Sequence, residues 1–163
     1  MKLKTHTLTA IVTAGMFTSA YAYDPKATIA DLDARLAKIG AAKIDGEDKA
    51  GDKTVPALYF GERKVNNNYD VVDAIRKAHT ATATVFVKTG DEFVRVSTNV
   101  LTPEGKRGVG TQLARNPAYA ALSKCEQFCG PIDVLGTAFD ACYNPIKDAS
   151  GKIIGASYIG HKK

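Results

Sequence analysis

A chain of 163 residues, 45% hydrophobic and 24% charged, has the size and balance of one globular domain. That balance excludes a disordered or fibrous chain, and no low-complexity tract or internal repeat is present. The formal net charge is +5, but Lys and Arg are scattered rather than clustered, which argues against a nucleic-acid partner and leaves room for a small anionic one.

Residues 1–22 read as an export signal. Lys2 and Lys4 supply a positive start, Leu8 to Phe17 is apolar apart from Thr9 and Thr13, and Ala20-Tyr21-Ala22 has the small-x-small form that a signal peptidase cuts. The apolar run is too short to span a bilayer, which takes about 20 residues. No Cys stands at the cleavage point for a lipid anchor. The expected mature protein is therefore a single domain, 23–163, starting at Tyr23 and periplasmic or secreted. Loss of Lys2 and Lys4 takes its formal charge from +5 to +3.

Asp24-Pro25 opens a helix, with Asp as N-cap and Pro in the first turn; Ile29, Leu32, Leu36 and Ile39 recur at helical spacing, and Gly40 stops it. Asp45 to Lys53, charged and bearing two Gly, reads as a loop. Val55 to Phe60 reads as a strand ended by Gly61. After the polar Asn66–Asn68 turn a second helix is expected over Tyr69 to Ala78, with Val71, Val72 and Ile75 inward and His79 at its C-terminal end. Ala83 to Lys88 and Glu92 to Asn99 flank Thr89-Gly90-Asp91 and predict a hairpin. The Gly-rich segment 102–110 lacks the spacing of a phosphate-binding loop and is expected to edge a pocket. A short helix, Pro117 to Ser123, precedes three more strands: Gln127 to Val134, Thr137 to Ile146, and Ile153 to Gly160 after the turn at Asp148 to Gly151. Hairpin-joined strands with helices between them predict an antiparallel sheet and an α+β fold.

The segments ATATVFVKTGDEFVRVSTNV, GVGTQL, NPAYAAL and ACYNPIKDASGKIIGASYIG, with ALYFGERKVNNNYDVVDAIRKA upstream, together resemble the single Cache domain of the Cache3–Cache2 fusion type, over about Pro56 to Gly160. Such domains form the extracytoplasmic part of bacterial chemoreceptors and sensor kinases. The resemblance implies a PAS-like fold: a long N-terminal helix on one face of an antiparallel sheet and a ligand pocket on the other. Family members usually sit between two transmembrane helices, whereas this sequence stops at His161-Lys162-Lys163. Any signal is then expected to pass to another protein, a membrane receptor or kinase, unless the protein only carries its ligand.

Alternation along the first hairpin sends Val85, Val87, Val94 and Val96 toward the helix, and Phe86, Phe93, Arg95 and Ser97 toward the pocket. A guanidinium at Arg95 needs a partner there, either a ligand carboxylate or a structural ion pair with an acidic residue. By resemblance, Tyr119 and Tyr143 border the pocket; each either bonds a ligand oxygen or turns its hydroxyl to backbone. Phe86, Thr98 and Phe128 complete the candidate ligand-binding set, with Phe128 standing where the family often has Tyr.

Cys125, Cys129 and Cys142 suit an oxidising compartment. If Leu135-Gly136 is a two-residue turn, Cys129 faces Cys142, Phe128 faces Tyr143 and Ile132 faces Phe139. A Cys129–Cys142 disulfide follows, leaving Cys125 free or bridged to another molecule. The alternative is a metal-, haem- or redox-responsive protein using all three thiols. There is no Gly-x-Ser-x-Gly and no His-Glu-x-x-His, so the sequence points to a small-molecule-binding sensor, for a small organic acid, and not to an enzyme; no cofactor is expected.

Overall fold

The computed structural model describes residues 23–163; the expected signal segment 1–22 lies outside the described residues. Three helices, α1 (Pro25–Ile39), α2 (Asp70–His79) and α3 (Pro117–Ser123), accompany eight strands: β1 (Ala42–Ala50), β2 (Lys53–Phe60), β3 (Arg63–Lys64), β4 (Thr82–Thr89), β5 (Glu92–Thr98), β6 (Phe128–Val134), β7 (Thr137–Lys147) and β8 (Ile153–Lys162). The strands form two antiparallel sheets, ordered β1-β2-β3 and β5-β4-β8-β7-β6. This is the α+β architecture expected, with the N-terminal helix in place.

Local chemistry starts and stops α1. The Asp24 carboxylate accepts from the backbone N–H of Lys26 at 2.9 Å and of Ala27 at 3.2 Å, satisfying two donors that the first turn leaves open. Thr28, Ile29, Leu32 and Leu36 form its buried stripe against the large sheet, each aliphatic side chain contributing about 2 kcal/mol on burial. Gly40 ends the helix where the chain meets the β2–β3 turn; a Cβ there would lie 2.5 Å from the Gly61 Cα, so only glycine lets the two segments touch.

The large sheet separates two cores. On one face α1 crosses β7 and β8 while α2 crosses β4, enclosing Val85, Val87, Val94, Val96, Cys142 and Ile159. On the other, α3 covers Phe86, Phe93, Tyr143, Ala156 and Tyr158 through Ala118 and Leu122. Among the described residues no helix is long and apolar enough to cross a membrane.

Two expectations change. The charged segment read as a loop is most of β1, paired with β2 from Ala42↔Phe60 to Ala50↔Lys53 with an irregularity between Ile44 and Glu47. Its charges are tolerated because this is an edge strand whose side chains stay largely in solvent. Ser97, expected on the pocket face, lies on the other. The β4–β5 register shifts between Val85↔Ser97 and Phe86↔Arg95, so Val96 is an extra residue. Beyond it the alternation inverts: Ser97 opposes Val85 and its hydroxyl donates to the Asn68 carbonyl at 2.6 Å.

Candidate functional site

Arg95 lies on β5, an edge strand of the large sheet, with its side chain on the α3-covered face. Its strand partner is Phe86, and its guanidinium lies 4.9 Å from the centre of the Phe86 ring. Nη1 donates to Thr111 Oγ1 and to the Gln112 carbonyl, both at 3.0 Å. The residue is 3% exposed, and none of the ion pairs among the described residues includes it. Nε has no hydrogen-bond partner among them. Burial works against the guanidinium charge, and only the nearby phenols Tyr143 and Tyr158 oppose that effect. The structural ion pair that would make Arg95 a fold residue is thus not formed.

Tyr143 shares the Phe86 ring with it as a neighbour. In β7 it opposes Phe128 of β6 and Tyr158 of β8, with ring centres 6.2 Å and 4.8 Å away; Phe86 is at 6.3 Å. Tyr143 is fully buried, and its hydroxyl also lacks a partner among the described residues. Burial raises its pKa far above the ordinary phenol value, with Arg95 pulling the other way, so it is a neutral donor. A buried guanidinium with an open N–H and a buried phenol with an open O–H face one aromatic cluster. Both are donors, and a carboxylate is the complementary acceptor.

The remaining expected residues divide. Phe86 and Phe128 belong to the same cluster as Tyr143. Thr98 shares Arg95's face because of the Val96 irregularity, but its hydroxyl is engaged with Thr84 Oγ1 at 2.6 Å and with the Val100 N–H at 3.1 Å. Tyr119 packs edge-on against Phe93 at 6.1 Å, while its hydroxyl donates to the Asp91 carbonyl at 2.7 Å and accepts from Arg115 at 3.0 Å. Its oxygen meets backbone at the β4–β5 turn, leaving only its ring to border the cluster.

Cys129 and Cys142 are bonded, on the α1 face of the hairpin, with Cys125 free. The pairs Cys129↔Cys142, Phe128↔Tyr143 and Ile132↔Phe139 follow from the turn at Leu135-Gly136, both at positive φ. The bond removes two of the three thiols from any shared metal site.

Residues 26–163 match the Cache 3/Cache 2 fusion domain. The chain belongs to the Cache 3/Cache 2 fusion family. No protein of curated function matches its sequence. Cache domains are typically extracellular or periplasmic small-molecule sensors carried by receptors and kinases.

Within this Cache domain, sequence reasoning missed Tyr158. It is buried, and its hydroxyl lies 3.1 Å from Thr82 Oγ1. Thr82 gives its own proton to the Gly160 carbonyl at 2.9 Å, so Tyr158 is the donor to Thr82. Strand alternation would have put Tyr158 on Tyr143's face. Continued from Lys147↔Ile153 the pairing would set Ser157 opposite Tyr143; the one-residue irregularity between Ile146 and Lys147 sets Tyr158 there instead. Thr111 and Gln112, which hold Arg95, come from a loop whose backbone runs beside β5, through Arg95 N–H to the Thr111 carbonyl and Gly110 N–H to the Arg95 carbonyl, both 2.9 Å.

Proposed function

We propose that this Cache domain is an exported, periplasmic sensor module that binds a small organic acid on the α3-covered sheet face and reports to a membrane receptor or kinase. The observation that carries the reading is Arg95: buried, without a carboxylate partner among the described residues, with Nε open and with the Phe86 ring as a neighbour it shares with Tyr143, whose hydroxyl is also open. An acid anion would accept from both groups, in a site walled by Phe86, Phe128 and Tyr158. Cleavage after Ala22 delivers the domain to the compartment where the Cys129–Cys142 disulfide persists. The role is binding without turnover, since the open groups are two donors with no nucleophile–base pair beside them.

Calorimetry with acetate, lactate and succinate tests this. At least one should bind, and Arg95→Ala should weaken it by about 2 kcal/mol, or roughly 30-fold in Kd. Equal binding by Arg95→Ala, or no binding of any of the three by the native protein, would refute the acid reading.

A further inference from the structure

Arg95 and Tyr143 are closed off, so an acid reaching them must pass a side chain that moves. A cleft of about 250 Å³ opens at the end of the large sheet where β4 begins and β8 ends, lined by residues that include Arg76, Thr82, Leu101, Phe139 and Lys162. Resting on the organic-acid reading above, we infer that this cleft is the anion's access route and that the Tyr158 ring is the gate between it and Arg95.

Four observations meet here. First, the cleft and the buried site share walls: Val100, Val134 and Phe139 line the cleft and belong to the same apolar cluster as Phe86, Tyr143 and Tyr158. Second, the dividing element is thin. Thr82 lines the cleft, and its Oγ1 receives the Tyr158 hydroxyl, while the centre of the Tyr158 ring is 4.8 Å from that of Tyr143 and the phenol is close enough to Arg95 for each to affect the other's charge.

Third, the gate has a light latch. A Cβ at position 160 would stand 2.1 Å from the Tyr158 hydroxyl, so Gly160 is what lets the phenol lie along its own strand. One hydrogen bond, to Thr82, holds the hydroxyl. Fourth, the charge at the mouth has one sign. Arg76 and Lys162 are exposed, neither forms an ion pair among the described residues, and no Asp or Glu lines the cleft. Leu101, 49% exposed, adds an apolar lip. A cleft walled by low-dielectric side chains and rimmed by two free cations concentrates small anions at its mouth and raises their association rate.

The cations act on arrival and the phenol on passage, so the two roles separate kinetically. Stopped-flow tyrosine fluorescence with acetate, lactate and succinate reads both. For the acid that binds, Arg76→Glu/Lys162→Glu should lower kon about tenfold at low salt, remove most of its salt dependence and leave koff unchanged. Thr82→Val unlatches the phenol and should raise kon and koff together. Gly160→Ala crowds Tyr158 and should change both rates, with circular dichroism reporting whether the fold is kept. If binding depends on Arg95 while kon and its salt dependence are the same in the charge-reversed protein, and Thr82→Val changes neither rate, the route is wrong and the acid reading stands. If none of the acids binds the native protein, the acid reading fails and the route fails with it.

Discussion

Ser157 donates a 2.6 Å hydrogen bond to Asp33 of α1 from the register pair next to Tyr143 and Tyr158. Its strand partner Asn144 donates to the other Asp33 oxygen at 2.5 Å. Successive residues of β7 and β8 thus face opposite ways: one pair lines the aromatic cluster, the next grips the long helix through one carboxylate.

That carboxylate is a pH-dependent link. Burial raises the Asp33 pKa above the usual range, against the lowering effect of the Ser157 and Asn144 hydrogen bonds. A raised acid holds its proton longer in the folded than in the unfolded state. Its contribution to stability is full below the unfolded value, near 4, and falls as pH rises through the folded one. Urea unfolding of native protein and Asp33→Asn across that range should therefore show the native protein losing stability relative to the variant as pH rises. A constant difference would mean that Asp33 does not titrate with folding.

Tyr143→Phe separates ligand binding from stability. The native hydroxyl is buried without a partner among the described residues, which costs about 1 to 3 kcal/mol when nothing else is bound. The variant should be more stable unliganded, by about 1 kcal/mol in urea, yet bind the acid more weakly in calorimetry. A less stable Tyr143→Phe would mean that the hydroxyl is already satisfied.

The Cys129–Cys142 disulfide spans a sequence separation of 13, so its entropic contribution is about 3 kcal/mol at most. The double variant Cys129→Ala/Cys142→Ala should remain folded, with its urea midpoint lowered accordingly. Acid affinity should fall further than stability does, because the bond pins the hairpin that presents Phe128 and Tyr143. Cys125→Ser should change neither. Non-reducing peptide mapping checks the pairing, and a Cys125 linkage would contradict it.

At Gly155 the backbone of β8 leaves no space for a side chain against β4. A Cβ there would stand 2.3 Å from the Phe86 carbonyl oxygen, a backbone atom that cannot turn aside. Gly155→Ala should cost about 2 kcal/mol in thermal or urea unfolding and shift Phe86 beneath Arg95. A neutral effect would show that the β4–β8 ladder is looser than the pairing Val87↔Gly155 implies.

By itself, the sequence determined what depends on neighbours along the chain. Asp24-Pro25 and Gly40 bound α1, Pro117 to Ser123 is α3, and alternation sets Phe86 and Arg95 against Val85 and Val94. Because the turn at Leu135-Gly136 admits no slack, the β6–β7 register and the Cys129–Cys142 bond could be counted outward from it. What the tertiary structure decided was offset and desolvation. The extra residue Val96 exchanges Ser97 for Thr98 on the Arg95 face, and the irregularity at Ile146 brings Tyr158 opposite Tyr143. The charged β1 exists as a strand because β2 completes its hydrogen bonds. Arg95 has Thr111 and Gln112 as neighbours rather than an acid because a loop distant in sequence folds back along β5. Side-chain period is a property of a few consecutive residues. A one-residue slip costs little locally, and it is settled by which pairing best packs the two faces of the finished sheet.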